Sequence, residues 1–164
     1  MTQEPMTGGC QCGAVRYRVR GELTWPHICH CRMCQKASGN YFMPLANAQK
    51  NEFEVTRGQI AWFNSTDVTR RGFCRDCGTP LIFETTKAKH LNITLGSLDR
   101  PADIRPSEQF GYEAKMPWFA ELDGLAGQPT DDAAQDDPEH FERIRKTNRQ
   151  HPDHDTKEWP PRQH

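Results

Sequence analysis

The residues best suited to chemistry in this 164-residue chain are seven cysteines, all of which lie before residue 78. Short spacing sorts them into three groups: CQC (Cys10 and Cys12), CHCRMC (Cys29, Cys31 and Cys34) and CRDC (Cys74 and Cys77). This cysteine content is well below that of a disulfide scaffold, and closely spaced thiolates are preferred ligands of zinc. The groups therefore predict metal ligands in a reducing compartment.

One division of the cysteines joins the CQC and CRDC pairs in a closed site, the cysteine quartet (Cys10, Cys12, Cys74 and Cys77). In CRDCG the turn lets two sulfurs converge on one ion, and Gly78 supplies permissive backbone. If CQC leads into a strand at Val15, both of its sulfurs share one face. The remaining cysteines form the cysteine trio (Cys29, Cys31 and Cys34). Spacing also permits an alternative in which CRDC joins two members of the trio and CQC lies elsewhere.

The trio has no fourth ligand in its own segment. Structural zinc sites have four protein ligands, whereas catalytic sites have three and an open position. In an extended segment His30 points away from the face that Cys29 and Cys31 share, so it is a poor fourth ligand. A thiol is a natural incoming ligand. The trio thus predicts a zinc site short of one ligand, and a substrate sulfur, water or a tail histidine could each fill that position.

The elements that position these cysteines are predicted to be β-strands. Apolar and polar residues alternate in AVRYRVR, with Arg16, Arg18 and Arg20 on the wet face, and again in EFEVT and LNITL. Short apolar runs predict further strands at QIAWFN and PLIFET, and one or two helical turns are expected at RMCQKAS, ended by Gly39. We expect a mainly β domain over residues 1–125.

Composition and charge exclude several classes of protein. Only 35% of the residues are hydrophobic, and the longest apolar run, IAWF, has four residues. Neither a transmembrane helix nor a signal peptide is expected, so a cytoplasmic protein is predicted. A net charge of −1 gives no field that would indicate a nucleic acid or a membrane as the partner.

Residues 126–164 differ in character from the preceding domain. They hold nine acidic and six basic residues, few large apolar side chains and four of the seven histidines. Such a segment cannot bury enough surface to offset its ordering entropy, so we expect a polar, largely mobile extension. At most one short helix is expected there, with Asp137 as the N-cap, Pro138 in the first position and Phe141 and Ile144 on one face.

Five segments of the chain resemble the glutathione-dependent formaldehyde-activating enzyme family, which includes centromere protein V. They are GGCQCGAVRY, CHCRMCQKASG, FCRDCGTPL, LGSLD and PWF, and all seven cysteines are in register over roughly residues 7–125. The resemblance implies an Mss4-like β-tent, in which zinc staples short antiparallel sheets. It also implies two zinc ions per chain, a structural one at the quartet and a second one, with an open position, at the trio.

The activity that the resemblance implies is that of a carbon–sulfur lyase. A thiol such as glutathione, activated at the trio, would add reversibly to formaldehyde or another small carbonyl, which makes Cys29, Cys31 and Cys34 the catalytic residues. Many members of the family carry a histidine where Gln109 stands here, so the substrate could differ. Two alternatives stay open: a zinc-stapled binding module with the tail as a docking arm, and a thiol or metal sensor.

Cations near the cysteines are the candidate partners of the two carboxylates of glutathione. By proximity they are Arg32, Lys36, Arg70, Arg71 and Arg75. Of these, Arg32 and Lys36 are predicted to bind substrate, with ordinary surface charge as the alternative. Ser38 is a third candidate, because its hydroxyl could donate a hydrogen bond to a ligand or could instead end the helical turn.

Overall fold

Ten strands in two sheets make up most of the structure, which is a computed structural model that describes residues 4–159. The strands are β1 (Met6–Gly9), β2 (Arg16–Val19), β3 (Thr24–Cys29), β4 (Met43–Gln49), β5 (Phe53–Arg57), β6 (Ala61–Asn64), β7 (Thr69–Phe73), β8 (Pro80–Thr85), β9 (His90–Thr94) and β10 (Glu108–Phe110). The smaller sheet has the order β1-β2-β5, and the larger one has the order β10-β3-β4-β9-β8-β7-β6. The first three residues of the expected domain and the last five of the expected extension lie outside the described residues.

The mainly β prediction is confirmed, and each predicted segment contains a strand. Pairing is antiparallel throughout both sheets except between β10 and β3, which are parallel, so the larger sheet is mixed rather than purely antiparallel. The core lies between the sheets, where alternate side chains of β2 pack against side chains from β8 and β9. Its largest fully buried apolar residues are Tyr17, Leu81, Ile93 and Val19.

Arg16 was predicted to lie on the solvent-exposed face of β2, but its side chain is buried. Its side chain is 3% exposed and donates two hydrogen bonds, of 2.8 and 2.5 Å, to the carboxylate of Asp99. A further carboxylate, that of Asp155, accepts hydrogen bonds of 3.0 and 2.9 Å from the same guanidinium. A buried arginine is tolerated because these partners satisfy its charge and its donors.

Three helices complete the described structure: α1 (Arg32–Ser38), α2 (Thr130–Asp136) and α3 (Pro138–Thr147). Single 3₁₀ turns lie at Leu95–Ser97, Pro101–Asp103 and Tyr112–Ala114, and a longer one at Phe119–Gly124. Helix α1 coincides with the predicted RMCQKAS segment and ends at Gly39. Within residues 4–159, no helix combines the length and apolar character needed to cross a membrane.

The C-terminal segment contains two helices, which corrects the expectation of at most one. The predicted helix is α3: it begins at Pro138, and the side chain of Asp137 accepts a hydrogen bond from the backbone N–H of His140. The additional helix, α2, precedes it and has no side-chain cap. One pair of alanines and two acidic residues in the first turn favour a helix at that position. The low apolar content of TDDAAQD gave no amphipathic pattern from which to predict it.

Residues 150–159, the C-terminal strap, run across the turn that holds CQC. The backbone N–H of His151 donates to the carbonyl of Gln11 (2.7 Å), and its ring packs directly on Gly13. At the end of the strap, the indole N–H of Trp159 donates to the carbonyl of Cys12 (2.8 Å). The mobility of residues 126–164 stays a prediction, but this part of the segment is in contact with the domain.

Candidate metal centres

The four sulfurs of the quartet are close enough to hold one ion. All four Sγ atoms lie within 4.8 Å of one another. The Sγ atoms of Cys10 and Cys12 are 3.6 Å apart, and those of Cys12 and Cys74 are 3.9 Å apart. A tetrahedral zinc with bonds of about 2.3 Å requires sulfurs separated by about 3.8 Å. The spacing and the all-thiol donor set therefore fit zinc.

Two turns from different sheets present the quartet. Cys10 and Cys12 lie in the turn between β1 and β2, where the N–H of Cys10 donates to the carbonyl of Val15 (3.0 Å). The condition for a shared strand face, that CQC leads into a strand at Val15, is not met: a turn, not strand alternation, brings the two sulfurs together. Cys74 and Cys77 lie between β7 and β8, and Gly78, at φ +77°, closes that turn as predicted.

Two thiols of the quartet have pKa values that are shifted in opposite directions. Burial raises the pKa of Cys74 to about 11. Burial also opposes ionisation of Cys77, but hydrogen bonds from Thr79 outweigh it and lower the pKa of Cys77 to about 6. The N–H of Val15 donates to the Sγ of Cys10 (3.2 Å). The quartet can therefore start to lose protons near neutral pH, as cation binding requires.

The trio is built from one continuous segment. Cys29 ends β3, Cys31 is the N-cap of α1, and Cys34 lies in the first turn of that helix. The Sγ of Cys31 accepts a hydrogen bond from the N–H of Cys34 (3.4 Å). The three Sγ atoms lie within 4.8 Å of one another, with Cys29 and Cys34 each 4% exposed. The donor set and spacing suit a soft cation such as zinc.

No fourth ligand joins the trio: in the part of the chain that the structure describes, no other Cys, His, Asp or Glu belongs to this group. His30, between two trio members, is fully buried and turned elsewhere. Its Nε2 lies 3.0 Å from the Oε1 of Gln109, and its ring is perpendicular to that of Phe119, with 4.8 Å between centroids. The expectation that His30 points away from the trio is confirmed.

Arg71 contacts the trio directly. Arg71 is buried, with 8% of its surface exposed. Its guanidinium donates to the Sγ of Cys34 (3.5 Å) and lies over the ring of Phe83. A hydrogen bond from Cys29, followed by the contact with Arg71, outweighs burial and lowers the pKa of Cys34 to about 5. The same shared proton raises the pKa of Cys29. One thiolate of the trio is therefore formed readily, next to a fixed positive charge.

The three predicted substrate-binding residues have different surroundings. Arg32 is exposed and donates to the side chain of Gln35 (3.2 Å). Lys36 is exposed on α1 and lines a cleft. The hydroxyl of Ser38 donates to the carbonyl of Cys34 (2.8 Å) within the last turn of the helix, which Gly39 ends.

The two other predicted cations point away from the trio. Arg70 pairs with Glu84 and stacks on Trp62, whereas Arg75 is exposed in the turn of the quartet. Both arginines were candidates by proximity to the cysteine groups. Strand alternation sends the side chain of Arg70 to the face opposite that of Arg71, and Arg75 lies in the turn after β7.

A segment distant in sequence covers the trio. The N–H of His30 donates to the carbonyl of Phe110 (2.8 Å), and the amide of Gln35 donates to the carbonyl of Ala114 (3.0 Å). Between them, Gly111 packs so closely that a Cβ there would lie 2.8 Å from the backbone N of Cys31. Gly111 was not singled out from the sequence, where an isolated glycine gives no sign of such an approach.

The chain is similar to known proteins in sequence and in fold. The model of the family described as "Glutathione-dependent formaldehyde-activating enzyme" matches residues 5–114. An uncharacterized lyase of Schizosaccharomyces pombe is 29% identical over 83 residues, so the match spans 51% of this chain and 60% of that protein. A crystal structure of a Rhodobacter sphaeroides protein has a TM-score of 0.52 at 23% identity and covers 63% of this chain and 99% of its own. This last likeness is one of fold.

Proposed function

The chain belongs to the glutathione-dependent formaldehyde-activating enzyme family, and we propose that it is a zinc-dependent enzyme of the carbon–sulfur lyase class. Its reaction is the reversible addition of a thiol, glutathione or a similar molecule, to formaldehyde or another small carbonyl. The word lyase in the name of the S. pombe relative supports this class of reaction. The catalytic residues are Cys29, Cys31 and Cys34.

The observation that carries the proposal is the incomplete ligand set of the trio. Three thiols converge, and no fourth Cys, His, Asp or Glu joins them among residues 4–159. Zinc held there would supply an open coordination position at which an incoming thiol loses its proton. Four ligands at the quartet leave no such position, which supports a structural zinc there and two zinc ions per chain.

A residue of the chain would offset part of the negative charge of a zinc held at the trio. Three thiolates on a divalent cation carry a net negative charge, which opposes the approach of another anionic sulfur. The guanidinium of Arg71, 3.5 Å from the Sγ of Cys34, offsets part of this charge without titrating, because arginine stays protonated. It acts as a positioning residue for the reaction.

Cations on the same side of the molecule suit the carboxylates of glutathione. Lys36 follows Cys34 by two residues on α1 and is exposed, and Arg32 is exposed at the start of the helix. Either cation can move to meet a carboxylate, because neither is held in an ion pair among the described residues. Ser38 supports the site indirectly, since its hydroxyl is engaged by the backbone that carries Cys34.

A cytoplasmic location fits this chemistry. In the described part of the chain, which includes all seven cysteines, no disulfide is formed. Free thiols at metal-ligand spacing persist in a reducing compartment, and glutathione is the thiol that such a compartment supplies in quantity.

The test is the rate at which ¹³C-formaldehyde exchanges between its hydrate and its glutathione adduct, measured by NMR exchange spectroscopy. The zinc-loaded protein should accelerate the exchange in proportion to its concentration, and the Cys31→Ser variant should not. S-Methylglutathione, which has no free thiol, is the matched control and should form no hemithioacetal. If the loaded protein leaves the spontaneous exchange rate unchanged with every low-molecular-weight thiol tried, the proposed activity is wrong, and the binding module and the sensor are the functions that remain.

A further inference from the structure

A cleft beside the trio is larger than the smallest substrate of the proposed reaction requires. We propose that it holds an aldehyde co-substrate that has an apolar body and carries a carboxylate. The inference rests on the proposed function, because it assigns the carbonyl partner of the same site. It goes beyond that function by assigning a substrate class other than formaldehyde.

The cleft lies between α1 and the β6–β7–β8 edge of the larger sheet. Its volume is about 450 Å³. Formaldehyde is only slightly larger than a water molecule, whose share of liquid volume is about 30 Å³. Pockets of about 300–1,000 Å³ usually hold organic ligands of much greater size. Formaldehyde alone would leave most of the cleft to water.

The walls of the cleft are mainly apolar. Side chains from α1, β4, β6, β7 and β8 contribute thioether, aromatic and aliphatic surface: Met33, Met43, Phe63, Phe73, Pro80 and Ile82. Two of the largest remain open to solvent, Phe63 at 60% and Met33 at 52% exposure. Contact with an apolar ligand would remove this surface from water, at about 25 cal/mol per Å². The surface therefore favours a ligand with an apolar body.

The charged residues of the cleft are both cations. Lys36 and Arg71 line it, and the residues that line it include no carboxylate. None of the ion pairs among the described residues involves either side chain. Glu84, the acidic residue on the neighbouring strand, is engaged by Lys50 and Arg70 instead. An anionic group on the ligand would therefore meet Lys36, with Arg71, which also donates to Cys34, beside it. Arg32, which does not line the cleft, stays available to a carboxylate of glutathione.

The cleft is within one side chain of the trio. Arg71 both lines the cleft and donates to the Sγ of Cys34. Met43 also lines the cleft, and it packs in the same buried cluster as Cys29 and Cys34. A molecule seated against these two side chains would have its carbonyl next to a sulfur activated at the trio, which is the proximity that addition requires.

The reaction in the cleft is the same addition with a larger aldehyde. The thiol sulfur forms a bond to the carbonyl carbon, and the π electron pair of the C=O bond moves onto the oxygen. The proton that leaves the thiol ends on that oxygen through water, so the product is a hemithioacetal. Nothing is oxidised or reduced, and no further reactant is needed.

Four aldehydes separate the two features of the cleft. The probes are 4-carboxybenzaldehyde, which has both the apolar body and the carboxylate; benzaldehyde, which lacks the carboxylate; glyoxylate, which lacks the body; and formaldehyde, which lacks both. Exchange with the glutathione adduct is measured for each with the zinc-loaded protein. We expect kcat/KM for 4-carboxybenzaldehyde to exceed those of the three others by roughly tenfold or more, as expected when a pocket contact is added.

Substitutions in the cleft test whether its residues cause the preference for 4-carboxybenzaldehyde. Phe63→Ala should lower the ratio of kcat/KM for 4-carboxybenzaldehyde to that for formaldehyde by about tenfold, because the apolar wall is lost. Lys36→Gln should lower the ratio for 4-carboxybenzaldehyde to benzaldehyde, because one cation is lost. Val68→Ala removes an exposed apolar side chain that does not line the cleft, and it should change neither ratio.

A binding measurement supplies a readout that is independent of turnover. 4-(Hydroxymethyl)benzoate resembles the aldehyde but cannot accept a thiol. Calorimetry should show that it binds the zinc-loaded protein, with a Kd raised about tenfold by Phe63→Ala and unchanged by Val68→Ala.

The outcomes are distinguishable from failure of the proposed function. Two results overturn the inference and leave the proposed function standing. In one, the protein accelerates exchange with formaldehyde but with none of the larger aldehydes. In the other, Phe63→Ala does not change the rate of exchange with 4-carboxybenzaldehyde. A Phe63→Ala variant that raises KM for glutathione instead shows that the cleft holds the thiol, and it also overturns the inference. No acceleration with any aldehyde contradicts both.

Discussion

The quartet and the trio use the same ligand atom but differ in what surrounds it. The quartet joins two turns more than sixty residues apart in sequence, from Cys12 to Cys74, and the strap contacts one of those turns. The trio comes from six consecutive positions and faces Arg71 and a cleft. Four sulfurs that cross-link distant turns suit a structural role, whereas three sulfurs beside a buried cation and a cleft suit a reactive one.

The largest expected difference between the sites is in folding. Cys77→Ser removes one of four ligands and should leave the chain largely unfolded, because structural zinc contributes about 10–16 kcal/mol in model peptides, as much as a domain's stability. Circular dichroism and thermal denaturation measure the loss. Arg75→Ser, in the same turn but exposed, is the control and should fold. A well-folded Cys77→Ser protein would show that the quartet is not the structural site.

The second prediction is that a substitution in the trio affects activity rather than folding. Cys31→Ser should lower the exchange rate with formaldehyde by about 100-fold or more, with one zinc lost. The unfolding free energy should change by less than about 2 kcal/mol. Serine is a good N-cap, so it can replace the Sγ that caps α1. Metal analysis and chemical denaturation check the variant, and unfolding like that of Cys77→Ser would remove the distinction between the sites.

Much of this comparison could be predicted from the sequence, for identifiable reasons. Strands and α1 follow local rules: side-chain alternation for β2 and β9, and a terminal glycine for α1. The division into quartet and trio needed the resemblance, because spacing alone left another pairing open. Proximity in sequence named Arg71 together with four other cations, and only the fold shows which of them faces Cys34.

Contacts that join distant residues could not be predicted. Arg16 looked like part of a wet strand face, yet Asp99 and Asp155 allow its burial. The strap looked too polar to pack, yet His151 is 3% exposed against Gly13. In both cases the stabilising partner lies more than eighty residues away, and no local pattern records it.

A third prediction sharpens the comparison through Arg71. Arg71→Gln should weaken zinc binding at the trio by roughly 10- to 100-fold, because a buried charge-assisted contact to Cys34 is lost, and should leave the quartet unaffected. Chelator competition measures both sites. Arg70→Gln is a closely matched control: Arg70 is adjacent in β7, but it pairs with Glu84, so trio affinity should stay within about twofold. Equal effects of the two variants would refute a specific role for Arg71.

The smallest expected effect is a pH dependence on the quartet side. The Nε2 of His151 lies 3.2 Å from a guanidinium nitrogen of Arg57, from which it accepts, while Nδ1 faces the carbonyl of Pro152 at 2.7 Å. Burial, with the charges of Arg16 and Arg57, lowers the pKa of His151 below its ordinary value of 6.5. The neutral ring is the form that docks, so the strap should stabilise the fold above pH 6.5 and lose this contribution between that pH and the lowered pKa.

Denaturation at several pH values checks this effect. A chain that ends at Asn148 lacks the strap and serves as the control. It should be less stable than the full chain at pH 7.5 by about 1–3 kcal/mol, and the difference should shrink as the pH falls toward 5. A difference that stays constant, or that grows on acidification, would mean that His151 does not govern strap docking.

The central claim is that the trio, unlike the quartet, has a ligand position for a substrate sulfur. ¹¹³Cd NMR of the cadmium-substituted protein tests it most directly, because the chemical shift reports how many sulfurs bind each ion and the quartet serves as an internal four-sulfur reference. Glutathione should move only the trio resonance, toward the frequency of the quartet, and S-methylglutathione should move neither. A trio resonance that already lies at the four-sulfur frequency, or that stays in place when glutathione is added, would contradict the account.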